Sequence, residues 1–418
     1  MKRIFTIITL LATIMFAGCT DLDDIYSRLD DQKEELANIK SLANAMANKL
    51  SVVSYKELDD RSGYELTMSD GSKIILKHGN KGPEGDQGSQ GEQGEPGAPG
   101  QDGDANLTIT ETADGIIIEY NGESYILPKF PTMTLTTAKS VEETIGLWID
   151  AAEADRSGVW IDLNNNGKKD EGEAVTKFRK FVEYTLGAQT VTVYGKVTKL
   201  ICNSNRLTTL NVSNNKELWS LDCGFNRLTS LNVSNNPALT ELSCHENRLT
   251  SLDVSNNPAL TELWCYENRL TTLDVSKNIK LSFLSCGNNQ LFSLNVSNNP
   301  ALTELYCRKN QLISLDVSSN KKLWLLSCHD NQLTSLDVSK NTLLEFLLCY
   351  NNKISGGNMT ALVNSLPDYN DKVVGKFRVI DKESDTEQNV ITADQAAVAT
   401  GKNWMVLDSD GNLYTPGS

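Results

Sequence analysis

Few residues in this chain have the types and spacing that chemistry needs. There are three histidines, His78, His245 and His329. The last two fall at equivalent points of a repeated pattern, four copies apart, which is about 19 Å at the spacing of paired strands and too far to share one reacting group. Eight of the nine cysteines, Cys202, Cys223, Cys244, Cys265, Cys286, Cys307, Cys328 and Cys349, recur every 21 residues. Zinc sites draw on closely spaced pairs such as C-x-x-C, and the sequence has none. Neighbouring strands in register hold their Cβ atoms parallel, a poor geometry for a disulfide. The expectation is a column of inert buried thiols acting as small apolar groups. No nucleophile elbow, phosphate loop or metal-binding helix motif is present. Paired carboxylates abound, but repetition alone produces them, and an enzyme is not expected.

One cluster has the composition of a cation site. Asp162, Asn164, Asn166, Asp170 and Glu173 stand at positions 1, 3, 5, 9 and 12 of a loop with Gly167 at position 6. Calcium takes several hard oxygens from a flexible loop, and the glycine allows the sharp turn between them. The flanks, Trp160 and Ile161 on one side, read as strand rather than helix, so this is not an EF-hand. The loop resembles the calcium-type turn of extracellular β domains, which implies calcium as a cofactor. Lys168 and Lys169 lower the local negative charge and predict modest affinity. A metal-free Asn/Gly-rich hairpin also satisfies the pattern.

Recognition has more candidates. The residue before each repeated cysteine runs Ile201, Asp222, Ser243, Trp264, Ser285, Tyr306, Ser327, Leu348, and the residue after it Asn203, Gly224, His245, Tyr266, Gly287, Arg308, His329, Tyr350. Both positions should face solvent. A second outward position, at 211, 232, 253, 274, 295, 316 and 337, is always Asn or Asp. Variation on one face and monotony on the other predict a binding surface on the first. Trp264, Tyr266, Tyr306 and Arg308 are of the types that dominate protein-binding hot spots. His245, Glu262, Glu267, His329 and Tyr350 complete the candidate ligand-binding set. A protein or a glycan would suit such a face. The net charge of −15, from 39 basic and 54 acidic residues, excludes a nucleic-acid partner, which needs clustered Lys and Arg.

These residues are positioned by the 21-residue period. One copy places Leu260, Leu263, Cys265, Asn268, Leu270, Leu273 and Val275 in the pattern L-x-x-L-x-C-x-x-N-x-L, and eight copies span 197–354. The array is identified as a member of the leucine-rich-repeat family with Cys in the third core slot. That membership implies a solenoid in which no coil buries its own apolar side and stacked coils share a core. The β-branched Leu-x-Val stretch predicts a second short strand per coil. Two asparagine ladders, Asn205 to Asn352 and Asn215 to Asn341, should satisfy backbone groups between coils. A small β domain at 130–196 precedes the array, and 355–418 should form a cap with one helix and later strands.

The first 129 residues read as leader and stalk. Lys2 and Arg3 precede an apolar run at 4–16, too short for a comfortable membrane span and shaped like a secretory signal at 1–18. Ala17 and Gly18 before Cys19 resemble a bacterial lipobox, and the acidic residues that follow resemble the surface-export signal of Bacteroidetes lipoproteins. The resemblance implies acylation of Cys19 and a lipid anchor in the bacterial outer membrane. Residues 19–53 carry heptads led by Leu22, Leu29 and Leu36, a coiled-coil pattern. Short strands at 54–78 and 106–129 flank a run at 79–105 with Gly at every third position. The run fits a collagen-like triple helix, hence a homotrimer, and equally a polar linker. The fold class expected is mainly β: a solenoid of about eight coils behind a small β domain and a coiled-coil/collagen-like stalk. The function expected is cell-surface binding or adhesion through the variable face. The alternatives are glycan capture for nutrient uptake and a mainly structural stalk.

Overall fold

The computed structural model describes residues 52–68, 71–77, 107–111, 115–120, 123–128, 131–167, 169–369 and 373–416, with six helical positions between 37 and 45. Cys19, the Gly-X-Y triplets and most of the heptad segment lie outside the described residues. Two units make up the chain, Met1–Phe130 and Pro131–Ser418. In the first, β1 (Val52–Glu57), β2 (Gly63–Met68) and β3 (Lys73–Lys77) form one antiparallel sheet, and β4 (Leu107–Glu111), β5 (Gly115–Tyr120) and β6 (Glu123–Pro128) form another. Alternation sends Leu66, Met68, Leu76, Leu107 and Ile118 into a shared core, joined by Leu42 and Ala45 from the helical positions. Among the described residues no helix is long and apolar enough to cross a membrane.

The second unit opens with β7 (Thr132–Thr137), β8 (Thr144–Asp150), a 3-10 turn (Glu153–Gly158), β9 (Trp160–Asp162), β10 (Phe181–Thr185) and β11 (Thr190–Tyr194). The repeats follow with β12 (Lys199–Ile201) and β13 (Leu207–Asn211). Next come β14 to β20, at Ser220–Asp222, Glu241–Ser243, Glu262–Trp264, Phe283–Ser285, Glu304–Tyr306, Leu325–Ser327 and Phe346–Leu348. From β12 to β20 each strand pairs in parallel with the next at a 21-residue offset, so Leu200, Leu221, Leu242, Leu263 and their successors align. A full coil turns four leucines, the cysteine and a valine inward. Leu260, Leu263, Cys265, Leu270 and Val275 are fully buried. A lone coil could not hide that side, and stacking makes one continuous core.

The segment before the repeats belongs to the same body. Strand β8 pairs antiparallel with β12 and β7 with β13, and one apolar core runs from Met133 to Val406. Residues 131–196 therefore cover the open end of the first coil rather than standing apart. At the other end, α1 (Gly356–Ser365) buries Met359, Leu362 and Val363. Strands β21 (Gly375–Ile380) and β22 (Trp404–Asp408) extend the parallel sheet beyond β20. Between them α2 (Ala393–Gly401) starts from a capping box, with Thr392 and Gln395 satisfying each other's backbone N–H. The helix at 356–365 and the later strands at 375–380 and 404–408 are the one helix and later strands expected after the repeats. The second helix has no signal of comparable strength.

One expectation fails. The Leu-x-Val stretch forms a strand only in β13, and among the described residues its later copies contribute a single isolated bridge, Asn211 to Asn232. Local turns take the N–H groups a ladder would need. The Asp274 carboxylate accepts the Ser276 N–H at 2.8 Å, and the Asn278 N–H donates to the Val275 carbonyl at 3.0 Å. The same Asx turn recurs at Asn211, Asn232, Asp253, Asn295, Asp316 and Asp337. Monotony at these positions thus has a structural cause: the turn needs a short side-chain oxygen.

Candidate binding face of the parallel sheet

Within each three-residue strand the middle leucine points inward and its two neighbours point out, so register lays the outward residues in rows. One row runs Lys199, Ser220, Glu241, Glu262, Phe283, Glu304, Leu325, Phe346; the next runs Ile201, Asp222, Ser243, Trp264, Ser285, Tyr306, Ser327, Leu348. Trp264 packs on Phe283 with ring centroids 4.9 Å apart, and Phe283 on Tyr306 at 5.6 Å. In the row after the cysteines, His245 stacks on Tyr266 at 4.6 Å and meets the edge of Phe225 at 4.9 Å. Gly224 is what admits the imidazole, since a Cβ there would strike the His245 ring. Trp264, Tyr266, Tyr306 and His245 are all half-buried, and Arg308 is exposed.

The electrostatics follow from this packing. Burial, and then the hydrogen bond that Tyr306 Oη donates to Glu304 at 2.9 Å, pushes the Tyr306 phenol up to about 12. Burial pulls the His245 imidazole down from its ordinary value against the opposing fields of Asp222, Glu246 and Glu267. Its Nδ1 lies 2.8 Å from Ser243 Oγ. Glu262 is pushed up by burial first, then by Glu241 and Glu304. Lys199, Asp222, Glu241, His245, Trp264 and Tyr266 line an open depression of 340 Å³.

Of the nine sequence-predicted binding residues, the structure brings Glu262, Trp264, Tyr266, His245 and Tyr306 together, with Arg308 at the margin. Glu267 stands beyond the strand at a left-handed turn with φ 54°, exposed. His329 is a correction. It is only 4% exposed, stacked on Tyr350 at 4.2 Å and bonded through Nδ1 to Asp330 at 2.6 Å, so it braces the sheet and offers no free face. That stacking also half-buries Tyr350. Phe283 and Lys199 stand outward on the same sheet but outside the sequence-predicted set. The i, i+2 alternation that pairs Glu262 with Trp264 also places them outward.

The cysteines and asparagines hold the face in place. All eight repeat thiols are buried and unpaired, and burial raises each of them, Cys244 and Cys286 to about 12. In the first ladder Asn268 Nδ2 donates to the carbonyls of Cys244 and Cys265 at 3.0 and 3.2 Å, while its Oδ1 accepts the Leu249 N–H at 2.9 Å. Asn205 begins the ladder on the Gly146 backbone, and Asn389, outside the period, ends it on the Cys349 and Val379 carbonyls. In the second ladder Asn278 Nδ2 donates to Val254 and Asn257, and seven Oδ1 atoms from Asn215 to Asn341 are buried with no donor.

The oxygen-rich loop is self-contained. Asp162 accepts the N–H groups of Asn166 and Gly167 at 3.0 and 2.7 Å, and Glu173 those of Leu163 and Asp170 at 2.8 Å each. Asn164 and Asn166 both donate to Asp170. Gly167 takes φ 72° at the turn. Among the described residues no three acidic, imidazole or thiol side chains are arranged to hold a metal ion.

No family model and no curated protein matches the chain. Among solved structures, it is similar to the functional domain of InlJ from Listeria monocytogenes, which includes a cysteine ladder. The two are 34% identical over 50% of this chain and 43% of that one, with a TM-score of 0.44. It is similar also to a leucine-rich-repeat protein of Leptospira interrogans, at 24% identity, 48% and 53% coverage and a TM-score of 0.41. The effector YopM of Yersinia pestis gives 23%, 42% and 51%, and 0.32. The chain thus spans about half the length of the solved structures it matches. One inward leucine strand, one cysteine and two ladder asparagines per 21-residue turn, stacked in parallel, set the fold. The described repeats form a parallel β-solenoid with turns of 21 residues.

Proposed function

We propose that this chain captures a protein partner through the outward face of its parallel sheet. The observation that carries the reading is the half-exposed aromatic group Trp264, Phe283 and Tyr306 beside His245 and Tyr266, on the face whose residues change from coil to coil. Tryptophan, tyrosine and arginine dominate interface energetics, and a few such anchors carry most of the binding. The leader and Cys19 support a lipid-held position at the bacterial outer membrane, hence adhesion. The heptads and glycine triplets support a trimeric stalk. Glycan capture is the second reading, supported by the same rings as stacking platforms for sugars.

Arrays of extracellular proteins and of glycans, probed with the full chain, separate the two readings. Trp264→Ser and Tyr306→Ser should each weaken a captured protein about 30-fold, the equivalent of about 2 kcal/mol. Folding should stay within about 1 kcal/mol, as for other surface changes. The control pair Asp274→Asn and Asp316→Asn keeps the turn oxygen and should leave affinity unchanged. An equal response from both pairs would put the binding face elsewhere.

Calcium at the 162–173 loop belongs to the same proposal. Its support is the set of five oxygen-bearing side chains wired to one turn, with Glu173 able to exchange its backbone donors, and Asp170 the Asn164 and Asn166 amides, for a cation. A ligand that binds only the folded form stabilises it by mass action. Calcium is therefore expected to raise the melting temperature of the full chain over chelator, and Asp162→Ala to abolish the difference. Identical melting with calcium and chelator would leave only the hairpin.

A further inference from the structure

The depression lined by Glu241, His245, Trp264 and Tyr266 carries a charge arrangement that its own residues do not neutralise. Glu241, in the lining, stands directly opposite Glu262, just outside it, on the adjacent parallel strand, a placement in which like charges oppose sheet formation. Asp222 lines the same depression. Lys199 is the one lysine or arginine of the lining; its ammonium reaches Glu241 at 3.3 Å. Among the described residues Glu262 and Asp222 have no basic side chain within ion-pair distance.

The sheet also shows what chemistry fits. One end of the face already seats a cation on itself: the Lys199 ammonium lies 5.6 Å from the Trp148 ring centre and 5.0 Å from that of Trp219, with the Glu241 carboxylate beside it. At the other end Lys376 lies over Phe346 at 5.1 Å. Between them Trp264 and Tyr266 repeat the combination of ring and carboxylate, and among the described residues no cation lies over either. A ring face and a half-buried carboxylate together favour a guanidinium or ammonium over a neutral group. A sugar could lie on the rings but would leave the Glu241–Glu262 repulsion in place.

We infer that this depression receives an arginine or lysine side chain of a partner protein, held between the Glu241 and Glu262 carboxylates and the Trp264 and Tyr266 rings. The inference rests on the reading of this face as a protein-binding surface and narrows it to a basic segment of the partner. The overall negative charge of −15 would steer such a segment towards the sheet.

Arginine amide and citrulline amide, equal in shape and different in charge, are suitable probes. Each is titrated into the full chain while tryptophan fluorescence is followed, with maltoheptaose as a neutral glycan. Arginine amide should bind saturably and about tenfold more tightly than citrulline amide, the order expected for a cation on a partly desolvated ring. Trp264→Phe should reduce the signal. Glu241→Gln with Glu262→Gln should abolish the preference, and an unchanged melting temperature would show that the variant folds. Equal binding of the two amides, no binding of either, or a preference for maltoheptaose would overturn the inference. Loss of the preference while an arrayed protein still responds to Trp264→Ser would reject the basic side chain alone. A preference for arginine amide with no arrayed protein sensitive to that variant would instead count against the capture reading.

Discussion

Asn310→Ala is expected to destabilise the solenoid by about 4 kcal/mol, because each buried backbone group left without a partner costs about 1–3 kcal/mol. The Asn310 amide donates to the carbonyls of Cys286, Cys307 and Arg308 at 3.1, 3.1 and 3.2 Å, and its oxygen accepts the Leu291 N–H at 3.0 Å. Alanine removes all four links inside the core. The second ladder offers an internal comparison. Asn320 also donates two bonds, to Val296 and Asn299 at 2.9 Å each, but its Oδ1 is buried without a donor. Asn320→Ala loses those bonds and at the same time relieves an unpartnered oxygen, so its cost should be roughly half that of Asn310→Ala. Urea denaturation of the three proteins measures the difference. Equal losses would mean that the missing donor at Asn320 carries no penalty.

The repeats were legible because their chemistry is monotonous. An inward leucine, a cysteine and a buried asparagine at a fixed period leave one stacking solution, and Leu263, Cys265 and Asn268 occupy the places that the period assigns. The ends were harder to read. The pairing of β8 with β12 and of Asn205 with Gly146 depends on a segment outside the period, and Asn389 joins the ladder from a position no spacing marks. Propensity misled at the Leu-x-Val stretch, where the β-branched valine suggests a strand but the preceding Asp or Asn captures the N–H two residues on. At the candidate site, alternation separated outward from inward residues but not free from covered ones. His329 and His245 occupy equivalent positions. The first is buried under Tyr350 and bonded to Asp330, while the second leans into the space that Gly224 leaves. Neighbours one coil away decide such cases, and a single-coil pattern does not contain them.

The C-terminal cap should be as sensitive to a single truncation as the asparagine ladder. Trp404 is 2% exposed, donates from its indole nitrogen to the Pro367 carbonyl at 2.8 Å and packs on Tyr369 at 5.8 Å. Trp404→Ala is expected to cost about 4 kcal/mol, since truncating a buried tryptophan leaves a cavity that its surroundings only partly fill. The ring lies against Gly375, where a Cβ would collide with it. Gly375→Ala alone should therefore also destabilise, by about 2 kcal/mol through overpacking. The two changes share one volume and should not add. In the double variant the alanine at 375 sits in space the indole has vacated, so the loss should fall below the sum by more than about 0.5 kcal/mol, the scale at which neighbouring sites couple. The location of the damage is equally specific. A terminal cap covers the last coil, so hydrogen exchange should accelerate in β20, β21 and β22 while β14 to β16, several coils away, keep their protection. A strictly additive double variant, or protection lost evenly along the sheet, would show that Trp404 and Gly375 do not close the solenoid in the way their packing indicates.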